Sequence, residues 1–224
     1  MKSYILLSFL VFIFIGAYAQ NLPEGYILQY QQNFSDAKSL KDFNLFDSTL
    51  WETPKTNGNI FLQCKGNTND SVSPFSIAVL NNRIFGDFIL EASVMAGTDS
   101  NGISEASLFL GLKDLTRYYY VQLADRTDSL TNGIFLFKRN QLNRLSVENK
   151  IPLNWDNNKW HKVRIERNIV RRTILVYVDN MQEPFIQVKD YELVMGSIGF
   201  GSFTSPAKFD NIMIWAPTVI SEWP

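Results

Sequence analysis

Trp160-His161-Lys162-Val163-Arg164-Ile165-Glu166-Arg167, followed by Ile174-Leu175-Val176-Tyr177-Val178-Asp179, is the stretch that decides the fold. Val163 and Ile165 alternate with Lys162, Arg164 and Glu166, a period of two that sends apolar side chains to one face of an extended chain. A helix would need a period near 3.6. Asp179-Asn180 then ends the second run with a turn signal. The two runs predict an antiparallel hairpin with one buried face.

The same period recurs in both directions from this hairpin. Ile60 to Cys64, Phe75 to Leu80, Phe88 to Val94, Ala106 to Leu112, Tyr118 to Leu123 and Gly133 to Lys138 precede it. Pro184 to Val188, Ser197 to Phe203 and Phe209 to Trp215 follow it. Turn residues stand between the runs: Thr56-Asn57-Gly58-Asn59, Asn81-Asn82, Gly97 to Gly102, Thr131-Asn132-Gly133 and Asp156-Asn157-Asn158. Short strands so punctuated predict an all-β sandwich or barrel. Only Ser35 to Asp47 has the composition for a helical turn or two. No internal repeat, low-complexity tract or linker divides the chain.

At the start of the chain, Tyr4 to Ile15 is apolar except for Ser8 and ends at Gly16-Ala17-Tyr18-Ala19, a small-residue cleavage site. Residues 1–19 therefore read as a signal peptide, and residues 20–224 as one domain. The apolar run is shorter than a membrane span requires, and no second run of membrane length follows. The expectation is a secreted or periplasmic protein with no membrane partner after cleavage. Cys64 is the only cysteine, so no intrachain disulfide forms and the thiol is expected to be a small buried hydrophobe. Lys2 is the only charged residue in the leader, so cleavage takes the formal charge from −1 to −2. That balance argues against nucleic acid as a partner.

Four segments, in order along the chain, resemble the concanavalin A-like lectin/glucanase superfamily, which includes laminin G-like and 3-keto-disaccharide hydrolase domains. They are Gln32-Asn33-Phe34-Ser35, Tyr118 to Ala124 with Ile134-Phe135-Leu136, the Trp160 hairpin, and Gly196-Ser197-Ile198-Gly199-Phe200-Gly201 with Ala207-Lys208-Phe209-Asp210-Asn211-Ile212. The resemblance implies a jelly-roll β-sandwich of two curved antiparallel sheets, a concave face that binds carbohydrate, and no required cofactor. In many members of that superfamily an Asp in the last strand, with backbone carbonyls near the first, binds a structural Ca²⁺; Asp210 fits that position, with carbonyls from around Asn33 to Asp36, the alternative being a carboxylate that bonds backbone amides at a strand end.

Alternation places Tyr118, Tyr120 and Gln122 on one face of their strand and Tyr119, Val121 and Leu123 on the other. The second set belongs in the core. The first is left for the sugar-facing side, where rings stack on C–H surfaces and an amide bonds hydroxyls. Arg126, in the loop that follows, can fork onto a hydroxyl pair or a carboxylate. Related domains often carry His where this chain has Gln122, so proton transfer is not expected there.

The paired acids of the related glucanases, E-x-D-x-x-E or E-x-D-x-E on one strand, are absent. The nearest catalytic candidates are Asp87 and Glu91, which share a face if both lie within the strand, and Glu105 at the start of the next strand. His161 is the only histidine, which excludes a multi-histidine zinc site. It is expected to be a partly exposed residue capping its strand. These readings favour a carbohydrate-binding, lectin-like domain over an enzyme. The alternatives are a glycan-processing hydrolase, as a glycosidase or 3-keto-disaccharide hydrolase-like protein, and a laminin G-like protein-interaction module.

Intact-mass measurement of the exported protein tests the leader: the expected N-terminus is Gln20, and a retained Met1 would contradict the cleavage.

Overall fold

The computed structural model describes residues 22–36, 38–66, 76–126, 128, 130–146, 153, 155 and 159–223. The Trp160 hairpin pairs as its alternation predicts, with Val163 opposite Val178 and Arg167 opposite Ile174. Seventeen strands are present among the described residues. In chain order, β1 is Ile27–Gln32, β2 Phe43–Leu45, β3 Trp51–Glu52, β4 Lys55–Thr56, β5 Asn59–Ile60 and β6 Leu62–Cys64. β7 is Ser76–Leu80, β8 Phe88–Ala96, β9 Glu105–Asp114, β10 Arg117–Ala124, β11 Gly133–Lys138 and β12 Gln141–Arg144. β13 is His161–Asn168, β14 Thr173–Val178, β15 Ile186–Lys189, β16 Ser197–Ser202 and β17 Ala207–Ala216.

Two antiparallel sheets face each other. The first runs β15-β14-β13-β8-β17-β6-β3, with β1 added to β17 beyond β6. The second runs β12-β11-β10-β9-β16-β7-β2, and β4–β5 forms a separate hairpin. That hairpin turns through Asn57 and Gly58, both at positive φ, as an Asn-Gly turn requires. Neither large sheet closes into a barrel.

The core lies between the sheets. Leu90, Val94, Val163, Ile165, Phe209 and Ile214 enter it from the first, and Leu108, Leu110, Tyr119, Val121, Leu123 and Phe200 from the second. Gly111 marks a bulge in β9, where φ is +60° and a Cβ would press on Leu193 and the Tyr119 ring. Beyond this bulge, Leu112 changes faces and joins the apolar cluster on the outer side.

Some elements differ from the sequence reading. Ser39–Asp42 is a short 3-10 turn, but Phe43–Leu45 continues as a strand against β7. β12, Gln-Leu-Asn-Arg, has no apolar alternation to announce it, yet it pairs with β11 as an edge strand. Asp156-Asn157-Asn158, Phe75 and Asp36's neighbour Ala37 lie outside the described residues. His161 is not partly exposed. It shares the inward parity of Val163 and Ile165, is 2% exposed, and stacks on Trp155 with centroids 4.6 Å apart. Its Nδ1 lies 2.8 Å from Asp179 Oδ2. Cys64 is buried as expected, and burial pushes its thiol up to about 11.

One polar clamp ties the sheets together. The Tyr119 hydroxyl, from β10, donates to Asp190 Oδ1 and accepts from Leu193 N at 2.8 Å. Arg167, from β13, donates to the carbonyls of Asp190 (2.8 Å) and Leu193 (3.2 Å) and lies over the Tyr119 ring. Tyr119 is fully buried, so Tyr119→Phe leaves its partners short of a bond without opening a cavity. The expected cost is about 1–3 kcal/mol in denaturant unfolding, with the fold retained; an unchanged midpoint would remove the clamp's role.

Candidate functional site

The outer face of the second sheet is not an ordinary solvated surface. Ile77, Val79, Phe109, Leu112, Tyr118, Tyr120 and Phe135 form a second buried apolar cluster there, with Phe137 packed against it. Tyr120 stacks on Phe135 at 4.9 Å and Tyr118 on Phe137 at 5.1 Å. Phe109 meets both tyrosines from the neighbouring strand. Space for the Phe109 ring comes from Gly201, where a Cβ would sit 3.0 Å from the ring and 2.2 Å from Ser76 O. Tyr118 and Tyr120 thus lie on the predicted face, but at 3% and 4% exposure they are a packed floor rather than open stacking platforms. Burial pushes the Tyr118 hydroxyl up to about 12.

Above this floor lies a cleft of about 240 Å³, lined by Glu105, Tyr118, Tyr120, Gln122, Arg126, Leu130, Thr131, Phe137, Leu142 and Phe203. Leu130, Leu142 and Phe203 are 58%, 45% and 39% exposed. Apolar side chains left exposed around a concavity with a few polar groups are the usual composition of a ligand site.

The polar groups converge on Glu105. Register puts Gln122 opposite Ser107 and Ala124 opposite Glu105, so all the outward side chains at this end of β9 and β10 are neighbours. Gln122 Nε2 donates to Glu105 Oε2 at 2.5 Å, and Ser107 Oγ donates to Gln122 Oε1. Thr204 N donates to Glu105 Oε1 at 3.0 Å, while its hydroxyl donates to Asp99 Oδ2 at 2.6 Å. Burial holds the Glu105 carboxyl above the usual range, with Asp99 adding to the shift and Thr204, Gln122 and Arg126 opposing it. Asp99, nearer solvent, goes the other way: the bonds from Thr204, Ile103 N and Asn101 N outweigh its burial.

A braced loop between β10 and β11 supplies one wall. Asn132, fully buried with φ +47°, accepts from Ala124 N and donates to the carbonyls of Ala124 and Arg126. Thr131 Oγ1 donates to Arg126 O, and Asp128 Oδ1 accepts from Leu130 N. Arg126 Nε pairs with Asp128 at 3.0 Å. The Arg144 guanidinium closes the back of the loop, donating to Thr131 O, Asn132 O and Ser146 O over the bare Cα of Gly133.

No protein-family model and no curated protein matches the sequence. Solved structures do match. The carbohydrate-binding module CBM66 of Bacillus subtilis superposes with a TM-score of 0.55 at 17% identity, over 76% of this chain and 93% of that one. The kappa-carrageenase of Pseudoalteromonas carrageenovora, solved with a kappa-carrageenan oligotetrasaccharide, gives 0.57 at 14% identity over 89% and 99%. The winged bean acidic lectin, complexed with methyl-alpha-D-galactose, gives 0.55 at 9% identity over 88% and 100%. The fold is concanavalin A-like. At these identities the likeness concerns fold alone.

Within the concanavalin A-like sandwich the three nominated acids lie apart. Glu91 is on the outer face of the first sheet, across the core from Glu105, where Arg164 (2.5 Å) and Lys162 (2.9 Å) pair with it. Its burial favours the neutral form, but those two partners outweigh it and hold the carboxyl below the usual range. Asp87 precedes β8 rather than lying in it, and its Oδ1 accepts from Ile169 N at the β13–β14 turn. Asp87 and Glu91 therefore form no same-face pair on one strand. Only Glu105 lines the cleft.

Sequence reading did not find Leu130, Thr131, Phe137, Leu142 or Phe203. The available signal was an apolar residue set among turn formers, as Leu130 is between Asp128 and Asn132.

Asp210 sits where β17 passes from pairing with β6 to pairing with β1, beside an irregularity in its register with β8. Its Oδ2 accepts from Asn59 Nδ2 at 2.9 Å and its Oδ1 from Asn211 N at 2.7 Å. Each carboxylate oxygen is thus engaged by one donor. A structural Ca²⁺ at Asp210 predicts that chelator lowers the melting temperature by several degrees and that Ca²⁺ restores it in the unaltered protein but not in Asp210→Asn; an unchanged melting temperature, with no Ca²⁺ bound in calorimetry, would remove the ion.

Proposed function

We propose that the protein is an exported carbohydrate-binding, lectin-like domain that holds a glycan in the cleft over β9–β11. The observation that carries this reading is the cleft itself: a rigid aromatic floor, exposed apolar walls at Leu130, Leu142 and Phe203, and polar groups gathered at one end. A pyranose has the complementary pattern, with C–H faces for the apolar walls and hydroxyls for Gln122, Arg126, Thr131 and Glu105. The floor is already packed and the backbone of the wall loop already bonded, so these parts lose little freedom on binding. The fold neighbours that are carbohydrate-binding modules and lectins support the same class.

A second reading, a glycan-processing hydrolase, is favoured by Glu105, whose buried carboxyl has the raised proton affinity of a general acid. Against it, Glu105 is the sole acid in the lining among the described residues, where hydrolysis of a glycoside ordinarily uses two.

A glycan array with residues 20–224, followed by mass spectrometry of each incubated hit, separates the readings. Binding without products is expected. Leu142→Ala and Phe203→Ala, at exposed positions, should each weaken a hit roughly tenfold, about 1.4 kcal/mol, without lowering the melting temperature. Products would select the hydrolase, and silence on every glycan would transfer the case to a protein partner.

A further inference from the structure

Three carboxylates among the described residues are buried, Glu91, Glu105 and Asp210, and each is treated differently. Glu91 meets two cations. Asp210 is held by an amide and a backbone N–H, away from the cleft. Glu105 combines burial with a place in the lining of the cleft, and its hydrogen-bond donors, Gln122 Nε2, Thr204 N and, at 3.5 Å, the Thr204 hydroxyl, are all neutral. No cation lies within ion-pair distance of it among the described residues. Buried carboxylates are ordinarily matched by an opposite charge.

The surroundings deepen the mismatch. Arg126 is the cation among the described residues of the lining, and its Nε is already engaged by Asp128. Asp99 is joined to Glu105 through the Thr204 hydroxyl, and Asp125 lies beside them, its Oδ1 3.4 Å from Ser104 N. The described lining itself holds one acid and one cation, Glu105 and Arg126, and the acids beside them, Asp99 next to Glu105 and Asp128 on Arg126, tip this end negative. A ligand carboxylate or sulfate entering there meets its own sign, whereas an ammonium meets an unmatched counter-charge. It also brings three donors, for which Glu105 and Gln122 Oε1 retain lone pairs beyond those already used.

We propose that the cleft takes an amino sugar with a free ammonium group, seated with that ammonium against Glu105. The claim rests on the reading of the cleft as a glycan site and adds the charge class of the ligand. It assigns Glu105 as the residue that decides specificity, with the apolar walls taking the C–H faces of the ring.

Titration calorimetry near neutral pH with three oligosaccharides tests it: a fully deacetylated glucosamine oligomer, its N-acetylated counterpart, and a glucose oligomer of the same linkage. The deacetylated ligand should bind at least tenfold more tightly than either neutral one. That preference should shrink as salt is raised. Glu105→Gln should bring the three affinities within about twofold of one another. If the variant fails to fold, the selectivity of the unaltered protein and its salt dependence decide the matter. Equal affinities, or tighter binding of a neutral oligomer, would overturn the ammonium assignment while leaving the glycan site standing. Binding of none of the three, with another glycan bound on the array, would do the same. Binding of no glycan at all would remove the site reading together with the proposal.

Discussion

The register between β9 and β10 is the constraint on which the remainder of the molecule depends. Tyr119, Val121 and Leu123 must enter the core, so Tyr118, Tyr120 and Gln122 must leave it. A slip of one residue would drive Gln122 into the sandwich and push Tyr119 away from Asp190 and Arg167. The clamp at one end of β10 and the Glu105–Gln122 bond at the other both require the same alignment. Core and cleft are in this sense two faces of one strand pairing.

Much of this was legible in the chain. The period of two in Trp160 to Asp179 and in Tyr118 to Ala124 is read directly, and the Asn57-Gly58 and Asp179-Asn180 turns fall where the chain reverses. The parity of Tyr118, Tyr120 and Gln122 also follows from alternation alone. Less legible was what lies over that face. Phe109 and Phe135 look like core residues in a one-dimensional pattern, and nothing local says that they pack outward against two tyrosines. His161 likewise sits after Trp160 at a strand start, where exposure is a fair expectation. Its burial depends on Trp155, in a stretch with no strand pattern of its own. Leu142 and Phe203 reach the cleft from an edge strand and a loop distant in sequence, and long-range placement of that kind has no local signature.

Glu91 and Glu105 show how one sandwich can carry two unlike outer faces. On the first sheet, Lys162, Arg164 and Glu166 alternate with the core residues, so a buried acid finds its cations one strand away. On the second sheet the corresponding positions are Phe109, Tyr118, Tyr120 and Phe135, and among the described residues the buried acid finds neutral donors, the Gln122 amide and the Thr204 N–H and hydroxyl. The first face satisfies itself. The second leaves a carboxyl with raised proton affinity at the end of an apolar cleft, which is the kind of asymmetry expected where a fold is adapted to hold something.

The most direct test of this account is nuclear magnetic resonance mapping of a bound glycan on the isotopically labelled protein. The account predicts that the largest shift changes fall on Gln122, Thr131, Arg126 and the Phe203 loop, with Lys162, Arg164 and Tyr177 unmoved. Changes centred on those last three residues would place the ligand on the opposite sheet and contradict it.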